Sequence, residues 1–142
     1  MSEQINFFYE GIRFRFDSKK QIRKWIKKII KNEKCEANSI NIILCDDDYL
    51  LKLNKKYLKR NTLTDIICFP MIDQNKTISG DIFISIQRVK ENAKIYKCPL
   101  SNELSRVIAH GILHLLGYND RNLSEKKIMN RKEEQYLDIL IK

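Results

Sequence analysis

Histidine is scarce in this 142-residue chain, with two copies against 27 Lys+Arg and 18 Asp+Glu. Two prolines and four glycines exclude collagen-like and proline-rich linker architectures. No apolar run approaches the roughly 20 residues needed to cross a bilayer. Met1 to Glu10 has no basic start followed by an apolar block, so no secretory signal is expected and the cytoplasm is the default compartment. The four cysteines, Cys35, Cys45, Cys68 and Cys98, form no C-x-x-C pair. Buried thiols are therefore expected, not a zinc ribbon or a disulfide framework. What is present, 43% apolar residues over this length, suits one core and a single domain spanning residues 1–142.

The net charge of +9 is unevenly placed. Ten basic residues fall between Arg13 and Lys34 against two acids, Asp17 and Glu33, a local charge of +8. A second group, Lys52, Lys55, Lys56, Lys59 and Arg60, contains no acid. Such a surface attracts polyanions by Coulomb force and counterion release. The competing reading is a solvated lysine face, and the charge by itself does not choose between the two.

Hydrophobic periodicity organises the chain. Ile5–Tyr9 reads as an apolar strand, Gly11 as a turn or bulge, and the alternation of Ile12, Phe14 and Phe16 with arginines as a second strand. Ser18 is placed to cap a helix whose apolar stripe is Ile22, Trp25, Ile26, Ile29 and Ile30. Ser39–Cys45 is a β-rich run, and Asp46 to Asp48 favour the start of a helix ending near Arg60. Short strands at Ile66–Phe69, closed by Pro70, and at Asp81–Ile86 flank a turn around Asp73–Lys76. Helices follow over about Gln87–Tyr96, Asn102–Leu116 with Ser101 as cap, and Ser124–Ile141. The pattern is that of an α+β (α/β) fold, one small mixed sheet packed by helices.

The two histidines, His110 and His114, lie four apart on the most apolar helix, so both imidazoles share one face. Gly117 then permits a turn that returns Asp120 to them, giving H-x-x-x-H-x-x-G-x-x-D. Two nitrogens and a carboxylate make a suitable first shell for zinc with one position left for water. The alternative has the histidines satisfied by carbonyls and Asp120 as a turn residue; three suitable groups in ligand order favour a metal. Zinc peptidases of the H-E-x-x-H type place a glutamate base between the histidines, and here that position is Gly111.

The sequence resembles the YbeY endoribonucleases, the bacterial rRNA maturation factors, from about Ser39 to Asp120. Three blocks carry the resemblance: Asn54-Lys55-Lys56-Tyr57 leading into Thr64-Asp65-Ile66-Ile67-Cys68-Phe69-Pro70; Gly80-Asp81-Ile82-Phe83-Ile84-Ser85; and Glu103 followed by His110-Gly111-Ile112-Leu113-His114-Leu115-Leu116-Gly117-Tyr118. The resemblance implies a zinc-metalloprotease-like fold without protease activity. It also implies a metal-dependent, single-strand-specific endoribonuclease acting in small-subunit (16S) rRNA 3′-end maturation and ribosome quality control. One zinc ion would be held by His110, His114 and Asp120, and the partners would be single-stranded rRNA and the small subunit with its assembly factors.

Three positions depart from the commoner family pattern. Its metal motif usually ends in histidine, where this chain has Asp120; a carboxylate still ligates zinc. An arginine usually follows the tyrosine of the first block, where this chain has Leu58, which leaves Arg60 or Lys59 as the candidate phosphate contact. The proline that usually precedes Thr-Asp is Leu63. Thr64, Asp65 and Asp81 either line the cleft or serve local hydrogen bonding at element ends, and the local role is the expectation. The rival functions are a zinc metallopeptidase and a non-catalytic rRNA-binding assembly factor.

Overall fold

The computed structural model describes residues 4–14, 16–71 and 76–141, the side chains of Gln4 and Ile141 excepted. Strand β1 (Gln4–Tyr9) leads into helix α1 (Lys19–Asn32), then β2 (Glu36–Cys45) and α2 (Asp47–Tyr57). β3 (Ile66–Met71) and β4 (Thr77–Ser85) form the next pair, followed by α3 (Ile86–Tyr96), α4 (Leu100–Leu115) and α5 (Leu123–Ile141). The sheet order is β1-β2-β4-β3. β1 and β4 each pair in parallel with β2, while β3 runs antiparallel along β4. This is the mixed sheet with packed helices that the patterning predicts.

Alternation assigns the two faces of the sheet. Ile40, Ile42 and Leu44 of β2 and Ile82 and Ile84 of β4 enter one buried cluster with the stripe of α1 and with Val107, Ile108 and Ile112 of α4. Each of these side chains contributes on the order of 1.5–3 kcal/mol on leaving water. The opposite face carries a smaller cluster, Cys45, Leu50 and Ile67, roofed by α2. Asn6, Asn41 and Asp81 also lie on that face and form a hydrogen-bonded row across three strands, Asn6 to Asn41 at 3.4 Å and Asn41 to Asp81 at 3.0 Å.

Several elements differ from the sequence reading. The second strand expected at Ile12–Phe16 does not form: residues 12–14 and 16 are irregular. Gly11, at φ +71°, turns the chain off the sheet, and the aromatic residues pack instead, Phe16 edge-on to Phe7 at 5.2 Å. α2 stops at Tyr57, not Arg60, because Lys59 is left-handed (φ 54°) and the amides of Leu58 and Arg60 both donate to the Asn54 carbonyl. β3 runs through Pro70 to Met71, which an edge strand tolerates because one side of its ladder needs no donor. Ser18 occupies the cap position of α1 without a side-chain cap bond, and α4 starts at Leu100 behind Pro99, so Ser101 is already inside it. Asn122, not Ser124, caps α5 by accepting from the Glu125 amide at 2.9 Å. Of the expected turn at Asp73–Lys76, only Lys76 lies among the described residues, and it is left-handed (φ 62°).

Candidate metal centre

Helix α4 lies against the sheet with Gly111 at the contact. A Cβ there would meet side-chain methyls of Ile82 at 2.9 Å and Ile66 at 3.0 Å, so a side chain would require these isoleucines or the helix to shift. His110 and His114 flank this glycine and lie on the side of the helix that carries the cluster. Their rings meet edge to face with centroids 4.6 Å apart, and their Nε2 atoms are 3.0 Å apart. After α4 the chain reverses at Gly117, whose φ of +105° is a conformation that side chains rarely adopt. The reversal brings Asp120 back, with Oδ2 3.4 Å from His110 Nε2 and Oδ1 3.8 Å from His114 Nε2. One ligand atom from each of His110, His114 and Asp120 lies within 4.8 Å of the others, as the motif spacing predicts.

Sequence reasoning missed what holds the histidines. His110 Nδ1–H donates to Glu133 Oε2 of α5 at 2.6 Å, leaving the Nε2 lone pair facing the cluster. Glu133 is buried and accepts from Arg106 Nη1 at 3.2 Å, and Arg106 also pairs with buried Glu103. The relay therefore runs Glu103–Arg106–Glu133–His110 across α4 and α5. Glu103, Arg106 and His110 fall at i, i+3 and i+7 of one helix, so their common face was readable. Their partner on α5 is 23 residues further along and carried no signal. Tyr118 adds a second brace: its hydroxyl donates to Glu33 Oε1 at 2.6 Å, Lys132 donates to Glu33 Oε2 at 3.0 Å, and Tyr136 also donates to that oxygen. The turn between His114 and Asp120 is thereby tied to α1 and α5.

The electrostatics separate the two histidines. Burial lowers the proton affinity of His110, but the hydrogen bond and charge of Glu133, with Asp120 and Asp65 beyond, bring its pKa above the ordinary histidine value. Burial and the neighbouring His110 hold His114 below that value, against the pull of Asp120 and a hydrogen bond to the Tyr118 backbone. Burial pushes the Cys68 thiol up to about 12, with Asp120 and Asp65 adding to it, so Cys68 stays protonated beside the cluster. The donor set fits a divalent cation: two imidazole nitrogens 3.0 Å apart and a carboxylate offer three suitable ligand atoms within reach of one ion.

The remaining sequence-predicted residues fall elsewhere. Thr64 makes a local bond to the Ile66 carbonyl at 3.3 Å, and Asp81 lies inside β4 in the asparagine row of the sheet, not at an element end. Asp65 accepts from Asn92 of α3 at 3.3 Å and lies close enough to His110 to raise its proton affinity. Lys59 and Arg60 are exposed in the segment after α2, and no hydrogen bond or ion pair among the described residues joins them to the cluster. Asn54 shapes that segment, its buried side chain donating to the Thr62 carbonyl at 2.8 Å.

A mixed four-stranded sheet that presents, from one helix and its following turn, a His-His-Asp cluster able to hold a metal ion defines an α/β protein with a candidate metal site. Comparison with known proteins narrows the class. The family model described as Endoribonuclease YbeY matches residues 5–141, and the chain belongs to that family. It is 44% identical over 133 residues to the Endoribonuclease YbeY of Amoebophilus asiaticus, covering 94% of this chain and 90% of that one. The Cytophaga hutchinsonii protein of the same name is 42% identical over 137 residues, 96% of each chain. A Thermotoga maritima protein whose structure was solved in solution superposes with a TM-score of 0.70 at 28% identity, covering 96% of this chain and 89% of that one.

Proposed function

We propose that this chain, as one domain over residues 1–142, is a cytoplasmic, metal-dependent endoribonuclease specific for single strands. Its substrate is the small-subunit rRNA precursor near the 3′ end, and its partners are the small subunit and its assembly factors, with a role in ribosome quality control. The observation that carries the reading is the convergence of His110, His114 and Asp120 in a chain of the YbeY family. His110, His114 and Asp120 would hold one zinc ion. When bound, such an ion supplies Lewis acidity toward water and phosphodiester oxygen. Glu133 keeps His110 in the tautomer that turns Nε2 inward, Arg106 fixes Glu133, and the Gly117 turn delivers the Asp120 carboxylate. Arg60, and after it Lys59, would meet the phosphate, arginine offering two parallel hydrogen bonds where lysine offers a point charge. Asp65 and Thr64 would border the cleft.

A peptidase is disfavoured by Gly111, because the position of its general base carries no carboxylate and is closely packed by Ile66 and Ile82. The test is cleavage of a single-stranded RNA by the purified protein with zinc and with chelator. Metal-dependent cutting of RNA but not of casein is the expected result. Products ending in 5′-phosphate would mark water as nucleophile, and 2′,3′-cyclic phosphate would mark the ribose 2′-OH. Unchanged cleavage in chelator contradicts the metal role, and no cleavage under either condition leaves the protein a non-catalytic RNA-binding factor.

A further inference from the structure

Away from the metal cluster, a groove of about 830 Å³ runs between α1, the start of β2 and the end of α5. Lysines reach it from three separate segments: Lys24, Lys28 and Lys31 from α1, Lys34 from the turn after it, and Lys76 from the turn before β4. Glu36 is the one acid on its wall among the described residues. None of these five lysines has an acidic partner within 4 Å among the described residues, whereas Lys94 pairs with Glu91 and Lys132 with Glu33. Half-buried Ile139 and Leu140 supply an apolar side to the same groove. Unneutralised like charges gathered around one concavity repel each other and focus a positive potential into it.

We infer that this groove is a docking track for the phosphate backbone of a single-stranded RNA, outside the metal centre. The inference rests on the endoribonuclease reading for the identity of the polyanion. Lys24 to Lys31 extends about 10 Å along the helix at 1.5 Å per residue, so the track engages several nucleotides and not one phosphate. It also leads toward the chemistry. Cys35 lines both this groove and a smaller hollow walled by Glu33, Gly117 and Tyr118, the turn that lies between His114 and Asp120. A strand held on the lysines would continue past that turn to the cluster. The lysines then account for affinity and substrate length, while the cluster accounts for cutting.

The test compares two triple variants that remove equal charge. K24Q/K28Q/K31Q removes three of the lysines that line the groove, and K90Q/K94Q/K97Q removes three that line a separate hollow at the end of α3. Binding of a fluorescent single-stranded RNA of about 20 nucleotides is measured in chelator, across a salt series. The groove triple should bind at least about tenfold more weakly near 0.1 M salt, with a log–log salt slope shallower by about 2, as expected for three lost contacts at roughly 0.7 each. The α3 triple should stay within about threefold of the parent. Equal weakening by both triples, or parental affinity in the groove triple, overturns the inference. So does displacement of the RNA by polyglutamate as effectively as by unlabelled RNA, since the groove would then accept any polyanion. Lysine acetylation of the unmodified protein provides a reading independent of variant folding: bound RNA should shield Lys24, Lys28, Lys31, Lys34 and Lys76 but not Lys90, Lys94 and Lys97. If the metal-loaded parent cuts no RNA while the groove triple still loses binding, the endoribonuclease reading falls and the groove stands. If the parent cuts and the triple binds as it does, the groove falls and the reading stands.

Discussion

On the α4–α5 side of the molecule, the candidate ligand His110 is backed by Glu133 at 2.6 Å, and Glu133 by Arg106 at 3.2 Å. The segment after α2 is built differently: Leu58 and Leu63 are exposed, and the side chains of Lys59 and Arg60 carry no partner among the described residues. The first region fixes ligand geometry in advance, which lowers the reorganisation needed to bind an ion. The second leaves its cations free to meet a phosphate that arrives with the substrate. The proposed function assigns metal affinity and substrate turnover to separate parts of the chain, and substitutions should separate them.

The largest effect should come from the ligands. His110→Ala should reduce RNA cleavage by at least about a thousandfold, since loss of the Lewis acid removes several kcal/mol of transition-state stabilisation. Cleavage rates at saturating zinc check this, and parental activity would place the chemistry elsewhere. Next, Glu133→Gln should weaken zinc binding about 10- to 100-fold, the usual range for a carboxylate that orients a ligating histidine. Competition with a chromogenic chelator measures it. Arg60→Ala should do the converse, lowering cleavage about 10- to 100-fold with metal content unchanged, in the range of one charged transition-state contact. Leu58→Arg should keep or raise activity. If Arg60→Ala and Lys59→Ala both cut like the parent, the phosphate charge comes from outside this segment.

A smaller effect sharpens the same division through pH. Burial raises the Glu33 pKa, but Tyr118, Tyr136 and Lys132 outweigh it and hold the carboxyl below its ordinary value of 4.5. A depressed carboxyl stabilises the fold above the unfolded value, and that contribution disappears as pH falls through the folded one. The parent should therefore lose more stability than Glu33→Gln on acidification from about pH 6 to about pH 3. Urea unfolding at a series of pH values checks this, and parallel curves would mean that the tyrosine brace contributes nothing. The smallest change expected is in Asp120→His, which should retain zinc because imidazole suits the same ligand position. Loss of metal in that variant would give Asp120 a different job.

The metal half of this account was legible in the sequence because helical geometry links positions a few residues apart. His110 and His114 share a face by i, i+4 spacing, and Gly117 marks the reversal that returns Asp120. Glu133 was not legible, because a contact between α4 and α5 depends on tertiary packing that no local period encodes. The fold class followed from the alternation of apolar periods, and the α1 stripe from Ile22 to Ile30 is buried as read. The errors are one strand that does not form and several element ends. Ile12, Phe14 and Phe16 have a strand's alternation and β1 pairs on one side only among the described residues, but Gly11 turns the chain away from that edge and Phe16 packs on Phe7 instead. α2 ends early because the Asn54 carbonyl captures two amides, a competition between local hydrogen bonds that propensity does not weigh.

The most direct measurement of the central claim is elemental analysis of the purified parent and His114→Ala, made beside a cleavage assay on single-stranded RNA. The account predicts one divalent ion per parent chain, most of it zinc, cleavage that chelator stops, and neither metal nor cleavage in the variant. Equal metal content in the two proteins, or RNA cleavage by the variant at the parental rate, would contradict it.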